Sequence, residues 1–152
     1  RNLIGHLMLA LLLSMRLEKG WGVWTMEYRP DFNAVESGMD VFINWKKDFV
    51  GKEATLKARN EGVSQKLVTM VIDTDELDVA HDEAILKDGV PVGYVSSGGY
   101  AHHVGKSMAM GYVAAEFAAA GTTLQVEILG NFYDAEVLAG PIYDGNGVNM
   151  RS

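Results

Sequence analysis

Residues 122–139 read Thr-Thr-Leu-Gln-Val-Glu-Ile-Leu-Gly-Asn-Phe-Tyr-Asp-Ala-Glu-Val-Leu-Ala. Leu124, Val126 and Ile128 fall on one side of an alternating run, and Gln125 and Glu127 on the other. Such alternation is the mark of a strand with one buried face, because successive side chains point to opposite sides of the pleat. Gly130-Asn131 supplies the turn, and Phe132 to Ala139 returns as the partner strand. The same pattern recurs upstream. Lys66 to Asp73 alternates and carries branched residues. Glu83–Leu86 and Pro91–Ser97 flank Lys87-Asp88-Gly89, a hairpin signal, and Ser107–Val113 is a methionine-bearing strand. Ser96-Ser97-Gly98-Gly99 reads as a loop, and Ala114–Ala120 as a short helical turn stopped by Gly121. Short strands at this spacing predict a small antiparallel barrel or sandwich from about residue 63 onward.

Before residue 63 the grammar changes. Leu3 to about Leu17 is apolar enough to form a helix that needs cover on most sides, and Gly20 and Gly22 stop it. Trp21–Tyr28 reads as an extended aromatic segment, and Arg29-Pro30-Asp31 as a turn. Val41, Ile43 and Trp45 alternate, which predicts a strand over Asp40–Trp45. A helix follows from about Lys52 to Asn60, with Gly62 as its C-terminal cap. Residues 1–60 carry nine Lys/Arg against seven Asp/Glu, and residues 61–152 carry four against thirteen, so the break near Asn60-Glu61-Gly62 is also a charge break.

Composition narrows the function. The chain has 152 residues, 48% hydrophobic and 22% charged, which is the profile of a globular protein rather than a disordered one. It has no cysteine, so disulfides, zinc-thiolate sites and cysteine nucleophiles are excluded. A net charge of −7 argues against a nucleic-acid partner, which would require a basic face. The N-terminal apolar run is interrupted by His6 and falls short of the ~20 apolar residues a bilayer span needs, so no membrane partner is expected.

Most catalytic signatures are absent: there is no phosphate-binding loop, dinucleotide fingerprint or Gly-x-Ser-x-Gly elbow. His102-His103 lacks a second ligand motif, and the acidic run from Asp73 to Glu83 lacks calcium-loop spacing, so no metal site is expected. The segment Arg16-Leu17-Glu18-Lys19-Gly20-Trp21-Gly22-Val23-Trp24 differs from the rest. A guanidinium fork, a carboxylate and two indoles together suit a flat heteroaromatic ligand with an acidic tail. The plainer alternative is an Arg16–Glu18 ion pair beside tryptophans packed in a core.

Four patches in order point to one family: Met15-Arg16-Leu17-Glu18-Lys19-Gly20, Val35-Glu36-Ser37-Gly38-Met39, Asp48-Phe49-Val50-Gly51-Lys52-Glu53-Ala54 and Gly93-Tyr94-Val95-Ser96-Ser97-Gly98-Gly99. Together they resemble the C-terminal half of the folate-dependent aminomethyltransferases, the T-protein family of the glycine cleavage system. Thr74-Asp75-Glu76-Leu77-Asp78 and Gly140-Pro141-Ile142-Tyr143-Asp144 are similar to its dimethylglycine and sarcosine dehydrogenase branch. The resemblance implies an α+β fold. Residues 1–62 would be a helix-bearing, ferredoxin-like remnant of the central layer of a folate module, and residues 63–152 its C-terminal β-barrel.

The resemblance also implies a function. The chain would be the folate-binding C-terminal portion of an enzyme that transfers one-carbon units to tetrahydrofolate. Arg16 and Trp24 would touch the folate and Glu18 would support Arg16. FAD would belong to a missing N-terminal part of a dehydrogenase parent. The family's catalytic aspartate has no counterpart here, so no catalytic residue is assigned and the isolated chain is expected to be inactive. The expected compartment is the cytoplasm, or the mitochondrial matrix in a eukaryote. The competing reading is a non-catalytic ligand- or protein-binding barrel. In the family a glycine usually follows the aromatic at the Trp24 position; Thr25 stands there in this chain, which puts the local turn in question.

Overall fold

A computed structural model describes residues 11–74, 77–149 and 151–152. The six strands β1 (Gln65–Ile72), β2 (Ala84–Lys87), β3 (Val90–Ala101), β4 (Lys106–Ala114), β5 (Thr123–Ile128) and β6 (Asn131–Val137) close into a barrel. The order around it is β1-β4-β3-β2-β5-β6, with every neighbouring pair antiparallel. The chain is thus α+β, with its helices before the barrel.

The alternation read from the sequence becomes the barrel's inner face. Leu124, Val126 and Ile128 of β5 meet Met70 and Ile72 of β1, Ile85 of β2, Val95 of β3 and Ala135 and Val137 of β6 in one buried cluster. Each large aliphatic side chain there contributes roughly 1.5–3 kcal/mol by leaving water. Closure leaves no free strand edge, so backbone pairing is complete around the ring.

The region before the barrel is built differently. Residues 11–18 are helical (α1); the remainder of the helix expected over Leu3–Leu17 lies outside the described residues. A second helix, α2 (Lys52–Glu61), ends at Gly62, the cap residue expected there, whose positive φ of 89° glycine adopts without strain. The strand expected over Asp40–Trp45 is not formed. Met39–Phe42 is a 3-10 turn, tied down by the Met39 and Asp40 N–H groups donating to the Ala34 carbonyl at 2.8 and 3.0 Å. Alternation alone does not make a strand without a partner edge, and none lies alongside; Val41 and Phe42 remain exposed.

The segment Trp21–Tyr28 is also not extended. It folds into a tight loop in which the N–H groups of Met26, Glu27 and Tyr28 all approach the Val23 carbonyl. Thr25 has φ of 76° and so holds the left-handed conformation that glycine would adopt without strain. The turn survives the replacement.

Glu36 and Asn33 brace the loop before the 3-10 turn. The Asn33 side chain accepts from the Val35 and Glu36 N–H groups, while the Glu36 carboxylate accepts from the Asn33 N–H at 2.8 Å. This reciprocal pair is a capping box. The Leu67 N–H donates to the Glu36 carbonyl, so the same turn is tied to β1. The family-like patch around Glu36 therefore works structurally in this chain.

Candidate functional site

The site lies where the end of α1 and the loop after it lean on strands β3 and β4. Its centre is a carboxylate outside the expected set of Arg16, Trp24 and Glu18. Glu27 is fully buried. Its Oε2 accepts from Arg16 Nη1 at 3.2 Å and from the Val23 N–H at 2.8 Å. Its Oε1 accepts from Ser96 Oγ at 2.7 Å and from Ser97 Oγ. The Tyr112 hydroxyl donates to the Glu27 backbone carbonyl at 2.9 Å. A buried carboxylate without partners would cost several kcal/mol; four donors onto its two oxygens make it tolerable.

Local backbone features build this arrangement. Adjacent strand residues normally face opposite sides of a sheet. The pairing of β3 with β4 shifts between Val95 and Ser97, a bulge that leaves Ser96 without a Cα partner. That irregularity lets the hydroxyls of Ser96 and Ser97 reach the same oxygen. The expectation of a loop over Ser96–Gly99 is therefore corrected. These residues continue β3 through Ala101, because β4 pairs with them and Glu27 binds their hydroxyls. Gly22 is also required: a Cβ there would sit 2.8 Å from the Glu27 Cβ and 2.7 Å from Tyr28 Cζ.

Arg16 is 6% exposed and projects from α1 toward this carboxylate. Burial lowers its pKa, and Glu27 opposes that shift by charge and hydrogen bonding. An arginine remains protonated regardless. Nη1 also approaches the Trp21 carbonyl at 3.4 Å and the Met110 sulfur at 3.8 Å. Among the described residues, Arg16 Nε is the one buried side-chain nitrogen or oxygen with no hydrogen-bond partner. Burial pushes the Tyr112 hydroxyl well above its ordinary pKa, so it stays a donor to Glu27.

The other expected site residues separate. Glu18 does not pair with Arg16. It is buried at 3% exposure, and its Oε1 accepts from the His103 backbone N–H at 2.7 Å. It ties α1 to the turn after β3. Trp24 points outward and is 75% exposed. Trp21, not Trp24, joins Arg16, Glu18, Lys19, Met15 and Tyr143 around a cavity of about 360 Å³. A volume of this order, mostly apolar with a few polar groups, is what a small-molecule site requires. A buried guanidinium nitrogen without an acceptor beside such a cavity fits an acidic ligand group.

The cavity's far side comes from the C-terminal segment. Lys19 Nζ donates to the Asp144 carbonyl at 2.5 Å and lies 3.4 Å from its carboxylate. Burial alone would push the Asp144 carboxyl up, but the Asn149 N–H, Lys19 and the Val148 N–H together hold it below its ordinary value. The Tyr143 N–H donates to the Glu18 carbonyl, and the Tyr143 ring meets His103 edge-on at 4.1 Å. Residues 141–149 thus clasp the end of α1.

Residues 65–144 match the family described as the Glycine cleavage T-protein C-terminal barrel domain. The chain belongs to that family. Its relatives include the mitochondrial dimethylglycine dehydrogenase of Mus musculus, 35% identical over 133 residues that make up 86% of this chain and 15% of the relative. An aminomethyltransferase of Desulfitobacterium hafniense is 30% identical over 135 residues, 88% of this chain and 37% of the relative.

The crystal structure of glycine cleavage system aminomethyltransferase T from Bartonella henselae superimposes with a TM-score of 0.81 at 24% identity. It covers 88% of this chain and 38% of that one. That likeness concerns the fold. The chain therefore spans between about a seventh and two fifths of the family members it matches. Among the described residues no helix is long and apolar enough to cross a membrane.

Proposed function

We propose that this chain is the C-terminal, folate-binding portion of a one-carbon transfer enzyme, of the kind that oxidises N-methylglycines and passes the carbon to tetrahydrofolate. The observation that carries this reading is the buried Arg16, with a partnerless Nε beside a cavity, in a chain of the T-protein barrel family. Arg16 holds the acidic portion of the folate. Trp21, rather than the outward-facing Trp24, offers the flat wall, and Glu18 secures the helix end from which Arg16 projects. Tetrahydrofolate, when bound, supplies the nitrogen that takes up the one-carbon unit. This chain's residues bind it, orient it and exclude water.

Residues 1–62 serve as the remnant of the parent's central folate layer, and residues 63–152 as its barrel. The remaining N-terminal portion of the parent, including any FAD site, is the natural partner. The compartment follows the parent, cytoplasm or mitochondrial matrix. Titration of the chain with tetrahydrofolate tests the reading. Weak binding that disappears in Arg16→Ala is expected. Tight binding that survives Arg16→Ala overturns the Arg16 assignment, and no binding by the unaltered chain overturns the folate reading.

A second reading has its own support. Trp24, Val41, Phe42 and Val50 are all more than 70% exposed. Exposed apolar residues of this kind, all in the segment before the barrel, suit a protein-binding module without one-carbon chemistry. A chain that binds no folate yet captures the rest of its parent would favour it.

A further inference from the structure

We propose that Glu27 is the positioning residue that decides which edge of Arg16 a ligand meets. This rests on the folate reading above and extends it to a residue that never touches the ligand. A guanidinium has a planar fork of donors, and Nε lies on one edge with Nη2. Glu27 engages the other terminal nitrogen, Nη1, at 3.2 Å, and the Trp21 carbonyl approaches the same nitrogen. Among the described residues Nε has no partner, and Nη2 has only the Met26 sulfur at 4.0 Å. The Nε/Nη2 edge is the one without a protein oxygen acceptor; Nε is shielded from solvent, so a carboxylate reaches this edge, with two parallel hydrogen bonds, only as the Met26 thioether gives way.

Glu27 can impose this orientation because it is itself fixed. Val23 N–H, Ser96 Oγ and Ser97 Oγ hold its two oxygens, and the Tyr112 hydroxyl holds its carbonyl. The bulge at Ser96 supplies two of those donors from adjacent residues. Without the charge at Glu27, only the longer contacts of Nη1 to the Trp21 carbonyl and the Met110 sulfur would orient the guanidinium. Met26 is half-buried and unbranched, and its soft thioether over Nη2 yields to a harder acceptor. The ligand group assigned to the edge is a carboxylate, the acidic tail of a folate.

The test uses the chain with Glu27→Gln and Glu27→Asp, titrated with tetrahydrofolate and with a tetrahydropterin that lacks the glutamyl tail. Glutamine keeps the shape: its one oxygen can accept from the Val23 N–H while its amide NH2 donates to the serine hydroxyls, and it brings no charge to Arg16. Glu27→Gln is expected to weaken tetrahydrofolate binding about tenfold or more, the loss associated with one charge-assisted hydrogen bond. It should leave the tail-less pterin unchanged, and Glu27→Asp should fall between. Equal weakening of both ligands would mean general disruption of the fold and would overturn the proposal, as would no change at all.

A second readout needs no folate. The Arg16 Nε–H proton, followed by ¹⁵N NMR, should exchange slowly as one sharp signal in the unaltered chain and broaden in Glu27→Gln. An identical signal in both overturns the positioning role. If the unaltered chain binds no tetrahydrofolate but the signal still depends on Glu27, the positioning role stands and the folate reading falls.

Discussion

The barrel and the segment before it solve burial in opposite ways. From Gln65 to Val137 apolar side chains point inward and the backbone pairs around a closed ring. From residue 11 to Gly62 the buried side chains include Ser14, Arg16, Glu18, Glu27 and Glu36, while Trp24, Val41, Phe42 and Val50 face outward. The barrel is held by area removed from water, and the segment before it by hydrogen bonds and charge laid against the barrel wall. A structure of the first kind is complete in itself. One of the second kind depends on what it leans against, and its exposed apolar residues remain open to further cover.

This contrast predicts unequal costs. Glu27→Ala should destabilise the chain by about 3–5 kcal/mol, because it strands Arg16 in a buried site without its counter-charge. Thermal or urea unfolding measures this, and a loss below about 1 kcal/mol would mean the segment does not depend on its charges. In the barrel, Ile85→Ala should cost about 2–5 kcal/mol by opening a cavity in a fully buried core. The two losses should differ in place: hydrogen exchange should rise around the site for Glu27→Ala and throughout the strands for Ile85→Ala.

Smaller effects refine the contrast. Thr25→Gly should stabilise by about 0.5–1 kcal/mol, because relief of a left-handed β-branched residue exceeds the entropy glycine adds to the unfolded chain. Asp144 tests the clasp. Its folded pKa lies below the ordinary 3.8, so its contribution is present above that value and is lost as pH falls through the folded value. The stability difference between the unaltered chain and Asp144→Asn, measured from about pH 6 down to about pH 2, should be flat at first and shrink only below about pH 4. Phe42→Ser should change stability by no more than about 0.5 kcal/mol, since its ring is 78% exposed. A larger loss would show that the outward residues are already covered.

Much of this molecule can be read from periodicity. Alternation in residues 66–73 and 124–128 places β1 and β5 to within a residue or two, and Lys87-Asp88-Gly89 marks the β2–β3 turn. The helix ending at Gly62 follows from its cap, and the four ordered patches are enough to recognise the family. These are local properties, set by steric preference and by which face of an element is apolar. Long-range pairing is not local, and the departures other than the tight Trp21–Tyr28 loop turn on it. Asp40–Trp45 alternates but finds no partner edge, whereas Ser96–Gly99 resembles a loop yet is kept in a strand by β4 and by a carboxylate 69 residues away in sequence. Arg16 lies two residues from Glu18 and pairs instead with Glu27, eleven residues on. Side chains two apart on a helix do not face each other, and the tight loop after α1 returns the more distant carboxylate to the guanidinium. The chemistry available to the site is written in its residue types. Which charges meet, and which edge of Arg16 lacks an acceptor, depends on a bulge, a strained threonine and a barrel wall that become neighbours only when the chain closes on itself.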